Sequence, residues 1–127
     1  PATAEALPAE PTRANIAQRR SGYVEGYAQL DLGGSSVVTI DNRANDADVF
    51  VNLVRLGDRD SLATRVVIVA AGDSFNITGV QRGRYELRYR DLLTGILDRT
   101  DPFVLTERRG KSGVGDGRVV IGIGDRR

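Results

Sequence analysis

The sequence predicts an all-β domain: a single antiparallel β-sandwich of about seven or eight strands, preceded by an extended N-terminal arm. Three observations carry this prediction. Short apolar or alternating runs recur about every ten residues, the rhythm of sandwiches and barrels. Gly, Asn and Asp cluster between those runs, where turns need them. No run sustains the 3.6-residue periodicity of a long amphipathic helix.

A chain of 127 residues suits one domain with one core. Hydrophobic residues at 40% and charged residues at 28% give it enough apolar surface to fold. Eighteen basic residues against seventeen acidic ones leave a net charge of +1, so no global field draws the chain to nucleic acid or to an anionic membrane. No apolar run approaches the length of a membrane span, and membrane insertion is not expected. Cys and His are absent, which removes disulfides, thiolate and imidazole metal sites, cysteine nucleophiles and histidine bases. The expectation is therefore no catalytic residue, no metal and no cofactor. Pro1 rather than Met opens the sequence, as in a chain that was processed, trimmed or begun internally.

Residues 1–22 read as an arm or linker. Pro1, Pro8 and Pro11 interrupt any regular element, and Ala, Glu, Thr and Arg fill the rest. A short helix over Thr12–Arg20 fits, with Pro11 at its start and Ile16 as its one apolar anchor. The β domain spans residues 23–127. It opens with YVEGYAQLDL, where Tyr23, Glu25, Tyr27 and Gln29 alternate against Val24, Gly26, Ala28 and Leu30, and Gly26 suggests a bulge. After the turn at Gly33 and Gly34, SSVVTID forms the next strand. The connection NRANDAD leads to VFVNLVRL, whose two faces are both apolar, Phe50, Val54 and Leu56 on one and Val49, Val51 and Leu53 on the other. That is the mark of a central strand.

GDRDS, residues 57–61, closes a strand pair with RVVIVA, a β-branched run too short for a helix. Ala71, Gly72 and Asp73 then turn the chain into DSFNITGV, the connection QRG and RYELRYRD, which read as a pair of strands bracketed by Gly79 and Gly83. In the second of them Tyr85, Leu87 and Tyr89 face one way and Arg84, Glu86, Arg88 and Arg90 the other. Strand character resumes in LLTGILDRTDPFVLTE, where Gly95 marks a turn and Pro102 forces an edge, a bulge or a break. A Gly-rich loop from Arg108 to Gly117 precedes the last strand, RVVIGIG.

FNITGVQRGRYELRYRD resembles the strand pair of transthyretin-like and immunoglobulin-like β-sandwich modules, including carboxypeptidase-regulatory-like and PEGA-type domains, found as accessory domains on exported bacterial proteins. The resemblance implies a stalk, adhesive unit or binding appendage with no shared catalytic residues, in an extracytoplasmic setting: periplasm, cell surface or secreted. With the arm and the terminal strand, it points to a structural or protein-interaction module that self-assembles, a homo-oligomer whose arm or edge strand completes a neighbour's sheet. Ile16, Arg19, Arg20, Tyr23 and Tyr27 are the expected contact positions. The alternative is an accessory domain for carbohydrate or another anionic polymer, polysaccharide included, bound by Arg84, Arg88 and Arg90 on one strand face.

Four further features fall short of a site on the sequence alone. The run from Asp41 to Asp48 carries oxygen donors that suit calcium, but Arg43 stands where the second ligand of an EF-hand belongs and no bidentate Glu follows, which leaves an Asx-rich turn. Gly110, Lys111 and Ser112 imitate the end of a phosphate-binding loop, yet Leu105 occupies the place of its first Gly. Asn76, Ile77 and Thr78 form a glycosylation sequon, meaningful only in a glycosylating pathway. The carboxylate pairs Asp58 with Asp60 and Asp98 with Asp101 sit in turn-like runs that offer no cleft.

Overall fold

A computed structural model describes residues 20–106 and 118–123. Among them the protein is all-β, without a helix. Nine strands follow in order: β1 (Gly22–Tyr23), β2 (Ser36–Asp41), β3 (Val49–Leu56), β4 (Ser61–Val69), β5 (Ser74–Val80), β6 (Gly83–Asp91), β7 (Leu97–Arg99), β8 (Phe103–Leu105) and β9 (Arg118–Gly122). They form two sheets. The large one has the order β1-β4-β3-β6-β7, with β8 also on β6; the small one has the order β5-β2-β9.

β3 is the centre of the large sheet, paired antiparallel to β4 on one side and β6 on the other. Its first six residues are all buried, in keeping with two apolar faces. Val49, Val51 and Leu53 meet Val67 and Val69 of β4, Leu87 of β6, and Val38, Ile40 and Ile77 of the small sheet in one cluster shared by both sheets. Phe50 points to the opposite side, where it joins Val24, Val66 and Ile68. Each such side chain, once buried, contributes about 1.5–3 kcal/mol. The β3–β4 hairpin closes over residues 57–60 with a Gly57 N–H bond to the Asp60 carbonyl of 2.8 Å.

The edge beyond β6 is broken where Pro102 predicts a break. β7 pairs with Arg88–Arg90 of β6 and β8 with Gly83–Tyr85, and Pro102, which has no N–H to give, lies between them. This division, together with the brief β1, raises the count to nine against the expected seven or eight.

Three other expectations are corrected. β9 runs parallel to β2, so the sheets are mixed and not wholly antiparallel. The strand expected from Tyr23 to Leu32 stops after Tyr23. Gly26 at φ 99° and Asp31 at φ 56° turn the chain aside, although Val24 N–H and Leu30 N–H still bond the Val66 and Thr64 carbonyls of β4. Most consequentially, β5 and β6 are not partners: β5 pairs with β2 in the small sheet, and β6 with β3 in the large one. Gln81 and Arg82 therefore carry the chain from one sheet to the other. A two-residue hairpin would need Asn-Gly, Asp-Gly or Gly-X in a primed turn, and Gln-Arg supplies none of these.

Candidate interaction surface

The crossing between sheets is held by a buried guanidinium. β4 alternation sets Arg65 on the same side as Val67 and Val69, and its side chain is 1% exposed. Its Nε donates to the Leu30 carbonyl at 2.8 Å. Nη1 donates to the Thr78 carbonyl at 2.9 Å and the Tyr23 hydroxyl at 3.1 Å. Nη2 donates to the Asp31 carbonyl at 3.0 Å and the Gly79 carbonyl at 3.2 Å. Five acceptors thus match the five donors of the fork, and none of them is a carboxylate. The residues so tied come from the segment before β2, from β1 and from β5.

A second network sits beside it. The Asp31 Oδ2 accepts from Arg55 Nη1 at 2.6 Å and lies 2.9 Å from the Tyr85 hydroxyl, which is 2.8 Å from the Gln81 carbonyl. The phenol has one proton to give to those two acceptors. Burial, and then the bond to Asp31, push the Tyr85 phenol well above its ordinary value. A phenol held in its protonated form is a donor and not a nucleophile, so this cluster orders the corner between β5 and β6. The bond to Asp31 raises Arg55 in turn. Asp31 itself occupies the left-handed region at φ 56°, one that Asp tolerates better than most residues, with its carbonyl accepting from Arg65 and from the Gln81 N–H.

The two sheets end differently. The large sheet terminates in a two-residue strand on one side and in the interrupted β7 and β8 on the other. Short and broken edges discourage pairing with a second chain. The small sheet terminates in β5 and β9, each with one side unpaired among the described residues. β9 is a β-branched run in which Val119 and Ile121 pack on the shared core and Val120 is 63% exposed. Its only charge is Arg118, at its first residue. β5 presents the polar Ser74, Asn76 and Thr78 to solvent, and Thr39 donates to the Asn76 side chain at 2.7 Å.

Of the expected contact positions, Ile16 and Arg19 lie outside the described residues, as do Gly110, Lys111 and Ser112; Arg20 is exposed. Tyr23 and Tyr27 are engaged within the chain. Tyr23 accepts from Arg65 and meets Phe75 edge-on at 5.6 Å, and Tyr27 meets Phe50 edge-on at 6.3 Å. Along β6 the arginines share a face without forming a continuous strip. Arg84 is exposed, but Arg88 is bonded at 2.6 Å to the buried Glu86, which Arg99 also approaches at 3.6 Å. Arg90 reaches toward the Gly95 carbonyl at 3.5 Å.

In the loop from Asp41 to Asp48, Asp41, the amide nitrogen of Asn42 and Asp48 bond to the chain itself, while the buried Asn42 Oδ1 has no hydrogen-bond partner among the described residues. Asp41 holds Arg43 through two side-chain bonds of 2.9 and 3.0 Å, and Arg43 lowers its carboxyl to about 2. Asn42 Nδ2 lies within bonding distance of the Ala47, Val69 and Ala70 carbonyls, and Asp48 accepts from the Ala71 N–H. Among the described residues no three acidic side chains gather as a metal site would require.

Sequence reasoning missed Arg65 and Asp31. The signal for Arg65 was its place in the alternation of RVVIVA, in phase with Val67 and Val69. Compared with known proteins, the chain matches no family model, no curated protein and no solved structure.

Proposed function

We propose that this protein is a non-catalytic interaction module, an immunoglobulin-like or transthyretin-like β-sandwich that assembles with further copies of itself through the edge of its small sheet. The observation that carries this reading is β9, an apolar edge strand whose outer side is unpaired among the described residues. An edge of this kind offers main-chain N–H and C=O groups for affinity and alternate side chains for register. Two features support the immunoglobulin-like comparison. Consecutive strands β4, β5 and β6 alternate between the sheets, and the Tyr85 hydroxyl bonds back to the carbonyl of Gln81 at the corner, as a tyrosine corner does. An extracytoplasmic setting belongs to the same reading. The polymer-binding alternative is weaker, because Arg88 is committed to Glu86.

The test is the mass in solution by light scattering across a wide range of concentration, for the native chain and for Val120→Lys. We expect concentration-dependent multimers that the lysine suppresses, since a charge on an edge strand blocks edge-to-edge pairing. A strict monomer at every concentration, or multimers indifferent to the lysine, would refute the edge.

A further inference from the structure

One bond fixes which main-chain groups of β9 face outward. Ile123 N–H donates to the Asp41 carbonyl of β2 at 2.9 Å. Main-chain groups alternate sides along a strand, so Val119 and Ile121 also address β2, and Arg118, Val120 and Gly122 turn their N–H and C=O groups away from it. The register sets Arg118 beside Val37, Val120 beside Thr39 and Gly122 beside Asp41. These residues share the outer face of the small sheet, since Val119 and Ile121 pack on the core. Arg118, Val120 and Gly122 are all exposed. Beside Gly122 lies a hollow of about 300 Å³ lined by Asp41, Arg43, Ala44, Gly122 and Ile123.

We propose that a second copy of this chain pairs its β9 antiparallel to this one about a two-fold axis at Val120, and that Arg118 of each copy enters the hollow beside Asp41 of the other. The pairing rests on the reading of β9 as the assembly edge. Centred at Val120, it sets the two Val120 side chains together and Arg118 against Gly122 of the second copy, so every outward main-chain group of the strand meets a complementary one. A slip of two residues parts the valines and leaves strand ends unmatched. Charge favours the same register. Asp41 stands one strand beyond Gly122, so about 10 Å separates the Cα atoms of Arg118 and Asp41 of the second copy. Gly122 has no side chain to stand between them, and an arginine stem can lie flat over it. Arg43 gives the Asp41 carboxylate two bonds at Oδ1 and one at Oδ2, and Oδ2 keeps capacity for a further donor. The other edge of the small sheet fits less well, because β5 would set Val120 among the polar Ser74, Asn76 and Thr78. A two-fold pairing closes on itself, so assembly through it stops at a dimer.

The chain has no cysteine, so single-cysteine variants of the full chain report the register. Residues paired at the axis lie about 5.5 Å apart between Cα atoms, within disulfide reach. Under mild oxidation Val120→Cys should form a covalent dimer, and Thr39→Cys, whose twin lies three strand spacings or about 14 Å away, should not. In light scattering the species that Val120→Lys suppresses should stop at a dimer. Arg118→Glu should weaken that dimer roughly tenfold, through both symmetric contacts, and Asp41→Lys in the same chain should restore it. Lysine-sensitive multimers that grow past the dimer, or that leave Val120→Cys uncrosslinked, would overturn the two-fold pairing while leaving the β9 edge standing. A double variant as weak as the sum of its two single losses would overturn the contact between Arg118 and Asp41. A strict monomer would refute the edge itself, and this pairing with it.

Discussion

Replacing Arg65 by Ala removes, in one step, all five bonds by which its guanidinium ties β1, the segment before β2 and β5 to the large sheet. Of its four carbonyl acceptors, Asp31 and Gly79 retain a second donor, from Gln81 N–H and Gly34 N–H. Leu30 and Thr78 lose the guanidinium bond, and a buried acceptor left without its donor costs about 1–3 kcal/mol. The vacated volume of a fully buried side chain adds about 2–5 kcal/mol. Against these stands relief from burying a guanidinium that touches no carboxylate, an effective penalty of several kcal/mol. The balance is a loss of about 4 kcal/mol, which at a urea m-value of about 1.5 kcal/mol/M lowers the unfolding midpoint by about 2–3 M. Arg65→Met separates the causes, since it keeps most of the volume and discards the charge. We expect it to fall between the native protein and Arg65→Ala. Should Arg65→Met prove more stable than the native chain, the five bonds would not offset the cost of burying the charge, and the clamp would not be a source of stability.

Tyr85→Phe should cost about 1–2 kcal/mol by calorimetry, because the Gln81 carbonyl and Asp31 both lose the phenol. The folded phenol titrates above its ordinary value of 10.0, so its contribution is complete below that pH and declines as pH rises past it. Native stability should therefore fall above pH 10 more steeply than that of Tyr85→Phe, and parallel curves would refute the assignment. A Cβ added at Gly34 collides with the Val80 carbonyl and the Gln81 backbone, so Gly34→Ala should cost about 3 kcal/mol or more in urea unfolding. The Asp41 carboxyl should titrate near 2 by NMR and return toward 3.8 in Arg43→Ala; since its pKa is lowered on folding, what stability the pair gives is present above 3.8 and lost as pH falls through 2.

The elements themselves were largely legible. β2, β3, β5 and β6 lie close to where alternation and turn residues put them, and the double apolar face of VFVNLVRL identified the central strand. Their assignment to sheets was not legible for β5 and β6. Proximity in sequence favours a hairpin, and what overrides it is non-local: the Thr78 and Gly79 carbonyls are held by Arg65, and Val80 and Tyr85 bury in the same cluster. The segment 24–32 was misread for a similar reason. Its alternation is that of a strand, but Gly26 and Asp31 adopt left-handed conformations, and Asp31 is held by contacts with β3, β4 and β6 that lie far along the chain. An arginine at the head of an apolar run reads as the solvent end of a strand. Only its five distant acceptors make it core.

β9 lies about eighty residues after the strand it joins, in parallel register with Thr39 opposite Val120. Parallel pairing across such a separation has a large loop-closure cost and places β9 among the late contacts to form. Until it forms, one side of β2 has no partner, with Val38 and Ile40 beneath it. In that interval the β9 of another molecule at high concentration competes with the chain's own, and an exchanged strand, once seated, is held by the same hydrogen bonds. The distribution of products would then depend on the history of the sample: dilute refolding gives closed monomers, and concentrated refolding gives linked species that persist after dilution.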